Sequence, residues 1–175
     1  VPVIGIEVSP GDTVKAEDAL VTLVQFDSVD PQEVVHDAVP VADVAPLDDA
    51  TFVPRGGTPL LDATGLLLAR AKERAARRAK KGKAAEEILF VTITDGEENQ
   101  SREVTREQLV RRITRLEAKG WTFAFLSAGL DAYGEARGMG IDRRATQAFA
   151  PSPAGAAPVN GRPSGDGSSR TSSTR

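Results

Sequence analysis

The stretch Ile88-Leu89-Phe90-Val91-Thr92-Ile93-Thr94-Asp95-Gly96-Glu97-Glu98-Asn99 decides how this chain is read. Its first half is rich in β-branched and aromatic residues and predicts a strand over residues 87–94. The run is apolar throughout rather than alternating, the pattern of a central strand covered on both faces. A carboxylate that ends such a strand lies at the carboxyl edge of the sheet, where open α/β sheets bind ligands. Asp95-Gly96 also reads as an ordinary turn. The side-chain oxygens of Glu97, Glu98 and Asn99 behind it add the donor chemistry that Mg²⁺, Mn²⁺ or Ca²⁺ prefer.

Upstream, Arg55-Gly56-Gly57-Thr58-Pro59-Leu60 leads into a helix, with Thr58 read as its cap and Pro59 as its first residue. Leu60, Thr64, Leu67, Leu68, Ala71, Ala75 and Ala79 recur at helical spacing, and Gly82 is placed to end the helix. Gly56 and Gly57 permit close backbone approach to a ligand or a positive φ. The stretch is not a phosphate loop, since the Gly-Lys-Ser/Thr ending is absent and no clear strand precedes it. Downstream, Thr105 and Gln108 form a capping box for a helix whose inner face is Leu109, Ile113 and Leu116, stopped by Gly120. A strand over Trp121 to Leu126, a short helix over Asp131 to Met139 and a last strand over Thr146 to Phe149 follow. This alternation predicts an α/β fold with a parallel sheet.

The amino-terminal part reads differently. Strands over Val3–Val8 and Ala19–Phe26 lie about ten residues apart, too close for a parallel crossover, so they are expected to pair antiparallel. Residues 27–57 carry Pro31, Pro40, Pro46 and Pro54; Val34-Val35 and Val39 to Val44 suit a short edge strand. From Pro151 the composition turns to Pro, Gly, Ser, Ala and Arg, which predicts a disordered tail over residues 151–175.

Composition narrows the chemistry. The chain has 175 residues, is 40% hydrophobic and carries a net charge of −3, which allows one packed domain and gives no general drive toward nucleic acid. It has no cysteine and one histidine, His36, so thiolate ligands, thiol nucleophiles, His-rich zinc sites and Ser-His-Asp triads are excluded or disfavoured. No apolar run approaches a membrane span and no leader-like segment opens the sequence, so the expected location is cytoplasmic. The basic run Arg70, Lys72, Arg74, Arg77, Arg78, Lys80, Lys81 and Lys83 reads as a solvated helix face rather than a nucleic-acid surface, because no aromatics interleave it. Asp95 and Glu97 as an acid/base pair have no nucleophile beside them in sequence, so an enzyme is not expected.

Gly56-Gly57-Thr58-Pro59-Leu60, the helix after it, and Phe90 through Asn99 resemble the von Willebrand factor type A (VWA) domain family in its bacterial intracellular form. Leu23-Val24-Gln25-Phe26-Asp27 is similar to that family's second strand, and Thr122-Phe123-Ala124-Phe125-Leu126 to a later one, so the likeness spans roughly residues 19–150. The resemblance implies a doubly wound, mainly parallel sheet with helices on both faces. It also implies a metal-ion-dependent adhesion site in which Thr58 and Asp95 hold Mg²⁺ (or Mn²⁺ or Ca²⁺) and a partner protein supplies a carboxylate. The family's first loop, Asp-x-Ser-x-Ser, is missing, together with the first strand and helix, so the implied site is incomplete. The nearest substitute is Glu7-Val8-Ser9. Loss of a central strand would leave two unpaired backbone ladders unless residues 3–8 fill the gap.

Residues 1–24 resemble the opening of a lipoyl or biotinyl carrier domain, which implies as an alternative a carrier-type fragment of acyl-transfer complexes. The modifiable lysine of that family is absent; Gln25-Phe26-Asp27-Ser28-Val29 stands where it would follow. The two resemblances meet at Ala19-Leu20-Val21-Thr22-Leu23, as if a carrier-type opening had replaced the first strand and helix of a VWA domain.

Overall fold

The computed structural model describes the backbone of residues 2–8 and all of residues 19–30, 32–48, 50–51, 56–128 and 131–149. The chain folds as α/β. In order, the strands are β1 (Pro2–Val8), β2 (Ala19–Gln25), β3 (Glu33–Pro40), β4 (Glu87–Thr94), β5 (Thr122–Ser127) and β6 (Thr146–Ala148). The helices are α1 (Leu60–Lys80), α2 (Arg106–Glu117) and α3 (Ala132–Gly138). All six strands form one sheet in the order β3-β2-β1-β4-β5-β6.

The sheet is mixed, which corrects the expectation of a mainly parallel one. β4, β5 and β6 pair in parallel, while β1 is antiparallel to both β2 and β4, and β3 is antiparallel to β2. Strand β2 therefore points the same way as β4, with a reversed β1 between them. The antiparallel hairpin expected of the amino-terminal strands is present, and β1 occupies a central slot between β2 and β4. A short connection forces this direction, since residues 9–18 are too few for a crossover back to the same edge. The edge strand expected in the proline-rich segment is β3; Val41–Asp43 continues as a 3₁₀ turn instead of strand.

The core lies on one face of the sheet. Val24, Phe26, Phe90, Phe123 and Phe125 meet Leu60, Leu67 and Leu68 of α1, Leu109 and Ile113 of α2, and Ala136 and Met139 at α3 in a single cluster. Along β4 and β5 buried residues alternate with half-buried ones: Phe90, Thr92 and Thr94 are enclosed, while Leu89, Val91 and Ile93 are partly exposed. The expectation of helices on both faces is thus met on one face only among the described residues. The two parallel crossovers β4-α2-β5 and β5-α3-β6 advance in one direction across the sheet, which puts α2 and α3 on the same side. No helix is described that would cover the other.

Local signals set the element ends. The Thr105–Gln108 capping box opens α2, with the Gln108 N–H donating to Thr105 and the Gln108 side chain accepting from the Thr105 N–H. Gly82 follows α1 at φ +66°, and its N–H returns to the Ala79 carbonyl. Trp121 packs at the core margin and stacks on Phe123 at 6.4 Å between centroids. His36 is half-buried in β3, its ring nitrogen 3.3 Å from the Ala45 carbonyl oxygen. The tail from Pro151 lies outside the described residues. No described helix is long and apolar enough to cross a membrane.

Candidate functional site

Three loops converge at the carboxyl ends of β2 and β4: Asp27-Ser28, Gly56-Gly57-Thr58 and Asp95 through Asn99. Their glycines make the approach possible. A Cβ on Gly56 would stand 2.3 Å from Ser28 Oγ, and one on Gly57 would stand 3.1 Å from Asn99 Oδ1. A Cβ on Gly96 would stand 2.7 Å from Thr58 Oγ1. Backbone bonds fix the contact: the Thr58 N–H donates to Asn99 Oδ1 at 2.9 Å, and the Asn99 N–H donates to the Thr58 carbonyl at 3.2 Å. The Gly57 N–H donates to Ser28 Oγ at 3.0 Å. Thr58 and the Asp95-Gly96 turn, 37 positions apart by subtraction of their numbers, thus face each other at one rim.

Thr58 does not cap α1, a correction to the sequence reading. The helix starts at Leu60 after Pro59, and no side chain of its own entry segment bonds its first N–H groups. The cap comes from the later loop. Glu98 Oε2 accepts from the Leu61 N–H at 2.9 Å, and Ser101 Oγ accepts from the N–H groups of Leu61 and Asp62 at 3.0 and 3.1 Å. A carboxylate on these first-turn donors also meets the positive end of the helix dipole. In return Asp62, in the first turn of α1, accepts from the N–H groups of Arg102, Glu103 and Val104 at 2.8, 3.0 and 2.7 Å. Two carboxylates therefore lock the loop and the helix start together from both sides. Sequence reasoning missed this lock. The acidic residue in the first turn was its only legible trace.

The same bonds sort the acidic residues by role. Asp27 is buried and accepts from Val29 and Asp30 N–H at 2.6 and 2.9 Å, closing its own turn. Glu98 also accepts from the Gln100 and Ser101 N–H groups. Glu135 of α3 reaches over to accept the Glu98 N–H at 3.0 Å, while its second oxygen is enclosed without a partner. Burial pushes the Glu135 carboxyl above its ordinary range; the bond from the Glu98 N–H works against this, and the nearby charge of Glu97 adds to it. By contrast, the Thr58 hydroxyl and the carboxylate of the exposed Asp95 make no hydrogen bond or ion pair among the described residues. These side-chain oxygens have no partner among the described residues at the rim.

The substitute suggested for the missing first loop does not reach this rim. Glu7 pairs with Ile88 at the opposite end of β4, and Val8 with Glu87. Asp95 lies seven positions beyond Ile88, about 23 Å at the usual rise of a strand. The end of β1 nearest the rim is Pro2, opposite Gln25. Ser9 lies outside the described residues. Among the described residues no three His, Cys, Asp or Glu side chains are grouped as a metal-ligand set. No protein-family model, curated protein or solved structure matches this chain.

The basic face of α1 is less bland than expected. Arg74 and Arg78 pair with Glu86, whose side chain is 1% exposed, at 3.1 and 2.9 Å, and Arg70 pairs with Asp37 at 2.7 Å.

Proposed function

We propose that this chain is a protein-interaction module of the VWA type, which docks a partner's carboxylate through a weakly held divalent cation at Thr58 and Asp95. The observation that carries the reading is the contact of the two loops at the carboxyl edge, with the Thr58 hydroxyl beside Gly96 and neither that hydroxyl nor the Asp95 carboxylate bonded among the described residues. A hydroxyl and a carboxylate are oxygen donors suited to Mg²⁺ or Mn²⁺. Two protein ligands fall short of a full shell, so a cation held there keeps most of its water and has room for a carboxylate from another protein. The reversed β1 offers no counterpart to the first loop, which is why binding is expected to be weak.

The carrier-type alternative has no specific observation in its favour, since β1 and β2 pair within the same sheet as β4. Nothing at the rim calls for a catalytic role or for nucleic acid. Calorimetric titration of Mg²⁺ and of Mn²⁺ into the wild-type chain and Asp95→Ala tests the proposal. Heat from the wild type that the variant lacks supports it; equal heats from both sink it.

A further inference from the structure

A cavity of about 150 Å³ opens at the other end of the molecule, between α1, the bent β2–β3 pair and the start of β4. Its floor is apolar: Leu67, Ile88 and Phe90 are at most 3% exposed. Its rim is cationic, with Arg70, Arg74 and Arg77 following each other along one side of α1 and Asp37 as the one carboxylate among the described lining residues. Arg74 is held by Glu86, whereas Arg77 is exposed and makes no hydrogen bond or ion pair among the described residues. The Arg70–Asp37 pair sits in solvent, with side chains 40% and 58% exposed.

The backbone bends to make this space. The register of β3 against β2 slips between Val21 and Leu23 and again between Leu23 and Val24. Ala38, next to Asp37, has φ +54°, the one positive φ of a non-glycine residue among those described. The left-handed conformation is strained for an alanine, whose Cβ crowds the following carbonyl oxygen. It is held by the Ala38 N–H donating at 3.1 Å to Thr22 Oγ1, and Thr22 itself lines the cavity. Strain that the surrounding structure sustains is characteristic of binding sites.

We infer that this cavity binds a small organic carboxylate with an apolar body about the size of benzene. An apolar cavity of roughly 150 Å³ accepts benzene itself. The body rests on Leu67, Ile88 and Phe90, and the carboxylate meets the guanidinium groups of Arg70 and Arg77, whose planar forks match its geometry. Asp37 is then a tethered competitor for Arg70, displaced into solvent when the ligand binds. This site is remote from the Thr58–Asp95 rim and independent of it.

Benzoate titrated into the isotope-labelled full chain, read by the amide shifts of Thr22 and Ala71, tests the inference. Saturable shifts are expected, with benzamide weaker by at least about fivefold because it lacks the charge that strengthens the hydrogen bonds. Asp37→Asn is expected to tighten benzoate about two- to fivefold, the equivalent of one exposed ion pair. Arg77→Gln is expected to weaken it by about fivefold or more. Both positions are exposed, so the variants should retain the wild-type spectrum, and the gain in Asp37→Asn cannot arise from unfolding. The inference is overturned if benzoate gives no saturable shifts at roughly tens of millimolar. It is also overturned if benzamide or inorganic phosphate binds as well as benzoate, or if Asp37→Asn weakens binding.

Discussion

Replacing Asp62 by alanine removes the acceptor for three backbone N–H groups at once, those of Arg102, Glu103 and Val104. Arg102 and Glu103 are exposed, so water recovers much of what they lose, and about 0.5–1 kcal/mol each is expected. Val104 is half-buried and packs against the core, so its orphaned N–H costs more, about 1–2 kcal/mol. Loss of a negative charge in the first turn of α1 adds about 0.3–1 kcal/mol. The sum is about 2–5 kcal/mol, a large share of the roughly 5–15 kcal/mol that holds a domain together. Equilibrium urea denaturation at neutral pH should show the midpoint falling by about 1–3 M at an unchanged slope. Asp62→Asn keeps one acceptor oxygen and should lose about half as much. A loss below about 1 kcal/mol in Asp62→Ala would refute the idea that this carboxylate anchors the loop that follows Asp95.

Gly96→Ala places a methyl 2.7 Å from Thr58 Oγ1 and should cost about 1–3 kcal/mol, because threonine has few rotamers in which to retreat. Its thermal melt should also lose any upward shift that Mg²⁺ gives the wild type; an unaltered melt and Mg²⁺ response would show that the loops are not in contact. For Glu135, the folded-state carboxyl titrates above the ordinary 4.5, so its protonation favours the native state. That stability is complete below the unfolded value and is lost as pH rises through the folded one. Glu135→Gln cannot ionise, so the stability difference between variant and wild type should grow in the variant's favour as pH rises from 4.5. Urea midpoints compared across that range check it, and a difference independent of pH would count against the buried carboxyl.

Much of the scaffold was legible because its signals are local. The apolar run of β4, the Thr105–Gln108 box, the alanine and leucine spacing of α1 and the glycines past the helix ends each express a preference that a few neighbouring residues satisfy alone. The antiparallel pairing of β1 with β2 was legible for the same reason, since a short connection allows no other. The helix start was misread by one position because Thr58 has the residue type of a cap, while the donors it would have served are taken by Glu98 and Ser101 from some 40 residues away.

The sequence by itself determined where strands and helices form, and which oxygen-bearing side chains stand at a strand end and a helix mouth. Only the tertiary structure decided that β1 enters the middle of the sheet in reverse, which carries Glu7 to the edge away from Asp95. It also decided that the described helices share one face, and that Asp27, Asp62 and Glu98 serve backbone donors while the Thr58 hydroxyl and Asp95 carboxylate have no partner among the described residues. The division is physical. Dihedral preference and amphipathic spacing act within a turn or two of chain, whereas the partner of a carboxylate is whichever N–H the packed sheet brings within about 3 Å.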